Sequence, residues 1–195
     1  MDNNGIIIKI LKEKSDLCIQ VADSADIVET TVLAAEMIIT AYRRDAKIMF
    51  CGNGGSAADA QHLAAELSGR FYYHRRALYA EALHVNTSYL TAVANDLSFD
   101  EVFARQLEAK GRQGDVLVAL STSGNSKNIL KAALRARESG MSIISLTGKD
   151  GGELKALSDL NINIPSEDTA RIQEMHITLG HSICQIVEQT LFPNG

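Results

Sequence analysis

Short runs of apolar residues alternate with longer stretches of helical periodicity along most of this chain. The clearest apolar run covers residues 115–120, and three more cover residues 46–51, 142–147 and 160–165. A weaker run at 78–83 contains a glutamate. Strands buried on both faces of a parallel sheet have this nearly continuous apolar character. The alternation therefore predicts an α/β fold, in which helices cover both faces of a five-stranded parallel sheet.

Helical periodicity occupies the segments between and around these runs. From residue 6 to about 44, apolar residues recur at three- and four-residue steps, which predicts one helix to about Ala22 and a second from about Ser24. The other predicted helices are 56–68, capped by Ser56, then 87–95, 99–111, 125–139, 153–157 and 169–191. Since no linker or repeat interrupts the pattern, we expect one domain over residues 1–195, with N-terminal helices in 1–45 and the α/β core and C-terminal helix in 46–195.

Composition indicates which kinds of partner the protein can bind and in which cellular compartment it works. Hydrophobic residues make up 46% of the 195 residues and charged residues 22%, as in an average soluble domain. The net charge of −5 disfavours nucleic acid as a partner, because neutralising phosphates supplies most of that affinity. No apolar run approaches a membrane span, the N-terminus lacks a cationic signal segment, and three widely spaced cysteines indicate reduced thiols. We expect a cytoplasmic protein that binds neither nucleic acid nor membrane.

A turn rich in hydroxyl groups follows the clearest predicted strand. Its hydroxyl groups belong to Ser121, Thr122, Ser123 and Ser126, and they lie where backbone N–H groups and the dipole of a new helix favour an anion. The turn has no lysine and no Gly-Lys-Ser/Thr ending, so it suits a sugar phosphate better than a nucleoside triphosphate. The alternative is an ordinary serine-rich capping turn, but four hydroxyl groups within six residues exceed what a cap requires.

A glycine-rich turn follows the first predicted strand and contains Asn53, Gly54 and Gly55. Its spacing does not match the dinucleotide-binding fingerprint. The glycines permit either close approach of a ligand or merely a tight turn, and Asn53 can hydrogen-bond a sugar hydroxyl. Both polar turns lie at the carboxyl ends of predicted strands, which is where ligands bind in such sheets.

Two predicted helices each carry a column of polar side chains. His62 and Glu66 are four residues apart, and Gln173 and His181 are eight apart, so each pair shares one helix face. Together they form a four-ligand set suited to Zn²⁺. Alternatively, Glu66 is a general base and His181 a general acid, with no metal. A weak surface pair would explain His62 and Glu66 alone, but the matching column on a second helix weakens that explanation.

Four other polar features are expected to have minor roles in the fold or at the site. Asp59 can orient the histidine ring one turn later, and His176 is expected to pack or to support a ligand. The pair Asn95-Asp96 is either a turn and N-cap or a ligand contact. The pair Arg75-Arg76 is interpreted as a solvated rim.

Five segments of the chain together resemble the sugar isomerase (SIS) family, and within it the bacterial heptose phosphate isomerases. They span nearly the whole chain in the family's order: CGNGGSAADAQHLAAELSGR, VAND, GDVLVALSTSGNS, LTGKDGG and ARIQEMH with the later His181. The resemblance implies the doubly wound, flavodoxin-like SIS fold. It also implies a homotetramer with active sites between subunits, to which the helices of residues 1–45 contribute.

The resemblance further implies an activity and assigns residues to it. D-sedoheptulose 7-phosphate would be converted to D-glycero-D-manno-heptose 7-phosphate, the first step toward nucleotide-activated heptose for lipopolysaccharide or another surface glycan. Glu66 would remove the proton beside the carbonyl to give an enediol, and His181 would be the partner acid/base. The family's positions for one Zn²⁺ per subunit match His62, Glu66, Gln173 and His181. Its substrate contacts match Asn53, Gly54, Gly55, Glu66, Asn95, Asp96, Ser121, Thr122, Ser123, Ser126 and Gln173.

Two alternatives belong to other branches of the same family. Some relatives are non-catalytic homotetramers that bind the bacterial replication initiator protein, and EQTLFPNG and IPSEDTARIQEMH resemble them too. In that group the positions of Glu66 and His181 do not hold acid/base residues, so the presence of both favours an enzyme. Isomerases of shorter sugar phosphates, such as arabinose 5-phosphate, usually carry regulatory domains that this chain lacks.

Overall fold

Five parallel strands form one sheet in this computed structural model, which describes residues 2–193. The strands are β1 Ile48–Cys51, β2 Ala80–Ala82, β3 Val116–Ser121, β4 Ser142–Gly148 and β5 Leu160–Ile164. Their order across the sheet is β2-β1-β3-β4-β5, with every neighbouring pair parallel. This order is the flavodoxin-like one, so the predicted fold class is confirmed.

Eight α-helices surround the sheet over the described residues. They are α1 Asn3–Ala22, α2 Ala25–Arg43, α3 Gly55–Ser68, α4 Thr87–Asp96, α5 Ala104–Lys110, α6 Lys127–Glu138, α7 Gly152–Leu157 and α8 Thr169–Leu191. The break after Ala22 and the bounds of α8 were predicted correctly, and the Ser24 side chain caps α2 by accepting a hydrogen bond from the Ile27 N–H. The predicted domain 1–195 includes residues 1, 194 and 195, which lie outside the described residues.

Two predicted elements differ in the structure. The segment predicted as one helix over 99–111 is a 3-10 turn at Phe99–Glu101 followed by α5, because Val102 and Phe103 turn into the core between them. The weak strand predicted over 78–83 pairs only at Ala80–Ala82. Since β2 is an edge strand, only β1 supplies it with backbone partners.

Alternate side chains of the strands enter two separate cores. Ile48, Phe50 and Val118 pack beneath α2, α3 and α8, whereas Met49 and Leu117 pack beneath α5, α6 and α7. This arrangement is the doubly wound one, and it explains why the strands are apolar at almost every position. No helix within residues 2–193 has the length and apolar character needed to cross a membrane.

Candidate active site

The two polar turns meet at the point where the strand order reverses. From β1 the chain continues to β2 on one side, and from β3 it continues to β4 on the other, so a crevice forms between the adjacent β1 and β3. The turns are joined across this crevice by a reciprocal amide pair. Asn53 Nδ2 donates to Asn128 Oδ1, and Asn128 Nδ2 donates to Asn53 Oδ1, both at 2.9 Å.

Glycine geometry sets the start of α3. Gly54, with a φ of 55°, is the N-cap, and a Cβ on Gly52 would lie 2.4 Å from the Ser56 carbonyl oxygen. Ser56 itself is buried inside the first turn and does not cap the helix, so that prediction was wrong. The tight glycine turn leaves the first backbone N–H groups of α3 uncapped by any side chain and open to a ligand.

The serine-rich turn after β3 brings the hydroxyl groups of Ser121 and Ser126 together. Ser121 Oγ donates to Ser126 Oγ at 3.2 Å, and Ser123 Oγ accepts a hydrogen bond from the Asn125 N–H. Ser126 is the N-cap of α6, yet its hydroxyl makes no capping bond. The Ser126 hydroxyl is therefore not used to cap α6, whereas the Ser123 hydroxyl makes a bond within the turn.

His62, Glu66 and His181 converge although they come from two helices. His62 Nε2 lies 3.2 Å from Glu66 Oε1 and 2.9 Å from His181 Nε2. Their candidate ligand atoms all lie within 4.8 Å of one another. Gly180 permits this approach, because a Cβ there would lie 2.6 Å from the Leu63 side chain on α3. The helix faces predicted from four-residue spacing thus meet.

The surroundings of the cluster favour a neutral His181. Burial lowers the pKa of His181, the nearby His62 lowers it further, and Glu66 opposes both effects. A neutral imidazole can accept a proton or bind a metal ion. Asp59 makes no hydrogen bond to His62; burial raises its pKa to about 6, and one carboxylate oxygen is buried without a partner among the described residues.

The donor set of the cluster fits a divalent cation such as Zn²⁺. Imidazole nitrogen and carboxylate oxygen are ligands that Zn²⁺ binds at about 2.0–2.2 Å, so two of them around a tetrahedral ion lie roughly 3.3 Å apart. The 3.2 Å and 2.9 Å separations at His62 are close to that value. His62, Glu66 and His181 can therefore hold such an ion with small adjustments.

Gln173 and the pair Asn95-Asp96 are placed differently. Gln173 lies two turns before His181 on α8. Its amide packs over Gly55, and a Cβ added to Gly55 would lie 2.6 Å from that amide. Gln173 thus borders the glycine turn from the same helix that carries His181. Asn95 and Asp96 are exposed at the end of α4, bonded to each other at 2.8 Å. They form no N-cap and contact neither turn within the described part of this chain.

His176, predicted to pack or to support a ligand, is buried beneath the sheet. Its Nε2 is 3.0 Å from the Thr147 carbonyl oxygen, while its Nδ1 has no partner within residues 2–193. Burial lowers its pKa to about 4, although the bond to Thr147 opposes the shift. His176 therefore packs as a neutral side chain.

We expect His176 to make the protein sensitive to acid. In the unfolded chain His176 gains a proton as pH falls through its ordinary pKa of about 6.5, but in the folded protein it gains one only near pH 4. Protonation therefore favours the unfolded chain, and the folded protein loses stability as pH falls from about 6.5 to about 4. The loss amounts to about 3 kcal/mol in full. Urea unfolding of wild type and His176→Gln at several pH values across this window tests it. Identical pH dependence in the two proteins would refute the assignment.

The structure also corrects the interpretation of Arg75 and adds Glu188, which the sequence analysis missed. The two side chains form an ion pair at 2.9 Å and are each 1% exposed, so Arg75 is no solvated rim. Arg76, by contrast, is exposed. Glu188 occupies the buried stripe of α8, four residues after Cys184, and a carboxylate at such a core position is the signal that could have revealed it.

Comparison with known proteins agrees with this geometry. The model of the SIS domain family matches residues 18–148. A phosphoheptose isomerase of Rhodospirillum rubrum is 58% identical over 158 residues, which cover 81% of this chain and 84% of that protein. The structure of the phosphoheptose isomerase GmhA from Neisseria gonorrhoeae is 44% identical, with a TM-score of 0.91 over 96% of this chain and 100% of that one.

A second solved structure extends the likeness to lower identity. A phosphoheptose isomerase from Francisella tularensis is 33% identical, yet its TM-score is 0.93 over 97% of this chain and 100% of that one. The family model spans β1 to β4, both polar turns and α3, and the two structural matches cover 96% and 97% of the chain. The chain belongs to the SIS domain family, on its phosphoheptose isomerase branch.

Proposed function

We propose that this protein is an aldose-ketose isomerase that interconverts D-sedoheptulose 7-phosphate and D-glycero-D-manno-heptose 7-phosphate. The observation that carries the proposal is the convergence of His62 and Glu66 on α3 with His181 on α8. The relatives that share this fold and more than half of the sequence are named phosphoheptose isomerases. A non-catalytic initiator-binding tetramer would need no such cluster of proton-moving groups.

The chain's own residues can perform each part of the reaction. Glu66 is placed to remove the proton on the carbon beside the carbonyl, which gives an enediol, and then to return a proton to the neighbouring carbon. His181, kept neutral by its surroundings, exchanges protons with the sugar oxygens. The serine-rich turn binds the phosphate at a distance and thereby positions the open-chain sugar.

His62, Glu66 and His181, with Gln173 as a fourth ligand, would hold one Zn²⁺ per subunit. When bound, the ion polarises the carbonyl and stabilises the negative charge that develops on the enediolate oxygen. Glu66 can serve both as ligand and as base if it moves from one role to the other during turnover.

We expect the serine-rich turn to contribute mainly to substrate binding. Replacing Ser121 and Ser123 together by Ala removes two hydrogen bonds to a charged phosphate, each worth about 1.5–3 kcal/mol, so KM should rise roughly 10²- to 10⁴-fold. The value of kcat should change little, since the reacting carbons lie elsewhere. Steady-state kinetics with Ser139→Ala as the control test this. A fall in kcat at constant KM would argue against a phosphate clamp.

The exposed apolar surface of the N-terminal helices supports a homotetramer with active sites between subunits. The described residues of α1 that are exposed despite being large and apolar are Ile6, Ile7, Ile8, Ile10, Leu11 and Ile19. A patch of this extent is typical of an interface. Asn95 and Asp96, exposed at the end of α4, would then complete a neighbouring subunit's pocket. Light scattering that finds a monomer at micromolar concentration would contradict this assembly.

The direct test of the function is an NMR assay with sedoheptulose 7-phosphate. The assay is run on the protein as purified, after chelation, and after Zn²⁺ is restored. We expect conversion to the heptose 7-phosphate, loss of rate on chelation and recovery with Zn²⁺. Full activity after complete metal removal would leave Glu66 and His181 as a metal-free acid/base pair.

We assign the activity to the cytoplasm, where the free thiols of Cys18, Cys51 and Cys184 would stay reduced. The reaction would be the first step toward an activated heptose for a surface glycan.

A further inference from the structure

A buried ion pair lies directly behind the candidate active site and is not part of it. Glu188 of α8 accepts four hydrogen bonds from the segment that follows α3. Its Oε1 accepts from the Phe71 N–H at 3.0 Å and from Arg75 Nε at 2.9 Å. Its Oε2 accepts from the N–H groups of Tyr72 and Tyr73 at 2.6 and 3.1 Å. One carboxylate therefore fixes three consecutive backbone N–H groups and the Arg75 side chain of this segment to α8.

Arg75 connects the same carboxylate to the end of α3. Its Nη2 donates to the carbonyl oxygen of Glu66 at 2.9 Å, and its Nη1 donates to those of Leu67 and Gly69 at 2.9 and 3.2 Å. The last carbonyl groups of a helix lack partners within the helix and form the negative end of its dipole, so a guanidinium is well suited to bind them. The backbone of Glu66 is thus bonded to Arg75.

The segment held in this way also touches the second candidate catalytic side chain. The ring of Phe71 lies 5.6 Å from the ring of His181, centroid to centroid. Phe71 is the first residue that Glu188 holds. Through Arg75 and Phe71, the carboxylate of Glu188 is therefore linked to both Glu66 and His181.

Burial makes this arrangement rigid. Arg75 and Glu188 are each 1% exposed, and the Arg75 guanidinium lies 5.5 Å from the centre of the Phe192 ring. Burial alone would raise the pKa of Glu188, but the three backbone N–H groups and Arg75 outweigh it and bring the pKa below its ordinary value. Glu188 therefore remains charged at neutral pH, and its four hydrogen bonds persist.

We propose that Arg75 and Glu188 are positioning residues, which hold the carboxyl end of α3 and the Phe71 ring against α8 so that Glu66 and His181 keep their relative placement. The inference rests on the isomerase activity proposed above. Small displacements of reacting groups are costly, since a misplacement of about 1 Å lowers rates roughly 100-fold. The serine-rich turn lies on a different loop, at the end of β3, so phosphate binding should be unaffected.

The chain provides a matched control that contacts neither α3 nor α8 through its hydrogen bonds. Asp115, just before β3, is buried and pairs with Lys47 Nζ at 2.9 Å. Like Glu188, it also accepts backbone hydrogen bonds, from the N–H groups of Lys47 and Arg112. Asp115→Asn and Glu188→Gln therefore remove the same kind of charge and hydrogen bonds, but Asp115 holds the residues that precede β1 and β3 rather than α3 and α8.

Kinetics, thermal unfolding and cobalt binding on the full chain test the proposal. We expect Asp115→Asn and Glu188→Gln to lower the unfolding midpoint by similar amounts, but only Glu188→Gln to lower kcat on sedoheptulose 7-phosphate, by about 10- to 100-fold. KM should stay within about threefold of wild type. Glu188→Gln should also bind Co²⁺ more weakly and change its visible absorption spectrum. Wild-type kcat and cobalt spectrum in folded Glu188→Gln would overturn the proposal.

Arg75→Lys provides the second variant. Lysine keeps the charge beside Glu188 but cannot reach several carbonyl groups at once, so kcat should again fall while the fold persists. If both variants fail to fold, the pair is required for folding rather than for placement, and the proposal is wrong. If wild type does not convert sedoheptulose 7-phosphate, the proposed function fails. In that case the Co²⁺ titrations test the positioning role independently of activity. Equal Co²⁺ affinity and equal spectra in wild type and Glu188→Gln would refute that role.

Discussion

Glu66→Gln is expected to lower kcat on sedoheptulose 7-phosphate by about 10³-fold, the usual contribution of a positioned general base. Glutamine has almost the same shape and keeps one oxygen toward His62, so the fold should be unchanged. It cannot take up the proton beside the carbonyl, and it is a poorer ligand for a cation. Phosphate binding by the serine-rich turn should be retained, because that turn makes no contact with Glu66.

The measurement is the NMR or coupled assay, combined with a titration of inorganic phosphate to show that the binding turn is intact. Glu138→Gln is the matched control, since Glu138 is an exposed glutamate at the end of α6. The control should keep wild-type kinetics. If Glu66→Gln instead retains near-normal kcat, then Glu66 is not the base.

His181→Gln is expected to lower kcat by about 10²- to 10³-fold. The imidazole is 2.9 Å from His62 Nε2, and burial and then His62 lower its pKa, which favours the neutral form that can accept a proton. Glutamine can hydrogen-bond a sugar oxygen but cannot exchange protons with it. A smaller rise in KM should accompany the loss of kcat, because His181 acts mainly at the transition state.

The control for this variant is His74→Gln, since His74 is exposed in the segment between α3 and β2. Circular dichroism should show both variants folded, because His181 is only part-buried on α8. Activity of His181→Gln equal to that of His74→Gln would remove the imidazole from the mechanism.

The features that the sequence predicted correctly depend on local periodicity. Apolar runs such as 115–120 can only be buried strands, and four-residue spacing puts His62 and Glu66 on one helix face whatever the tertiary structure. The carboxyl ends of parallel strands share one edge of the sheet, so the glycine-rich and serine-rich turns had to lie at the same edge, and the pairing of β1 with β3 makes them neighbours. The placement of both turns followed from these local rules.

The features that the sequence did not reveal depend on contacts between distant residues. Arg75 and Glu188 are 113 residues apart, and a pair of adjacent arginines usually faces solvent. Nothing local indicates that Arg75 turns inward to bind the end of α3. Similarly, Ser56 has the residue type of an N-cap, but Gly54, with its positive φ, is the N-cap two residues earlier, and Ser56 is buried.

Tertiary packing also decided where the predicted helix over 99–111 breaks. Val102 and Phe103 are almost fully buried beside α6, and reaching that core interrupts the helix after the 3-10 turn. The reciprocal pair of Asn53 and Asn128 had no sequence signal either, because Asn128 lies within the first turn of α6 and resembles an ordinary helix-start residue.

The most direct test of the account is conversion of sedoheptulose 7-phosphate in D₂O, followed by NMR. If Glu66 removes the C1 proton of the ketose and a proton returns to C2, the heptose 7-phosphate formed should carry deuterium from the solvent at C2. Glu66→Gln should abolish both the conversion and the label. A wild-type protein that leaves sedoheptulose 7-phosphate unchanged, with and without Zn²⁺, would contradict the central claim that these three side chains form an isomerase site.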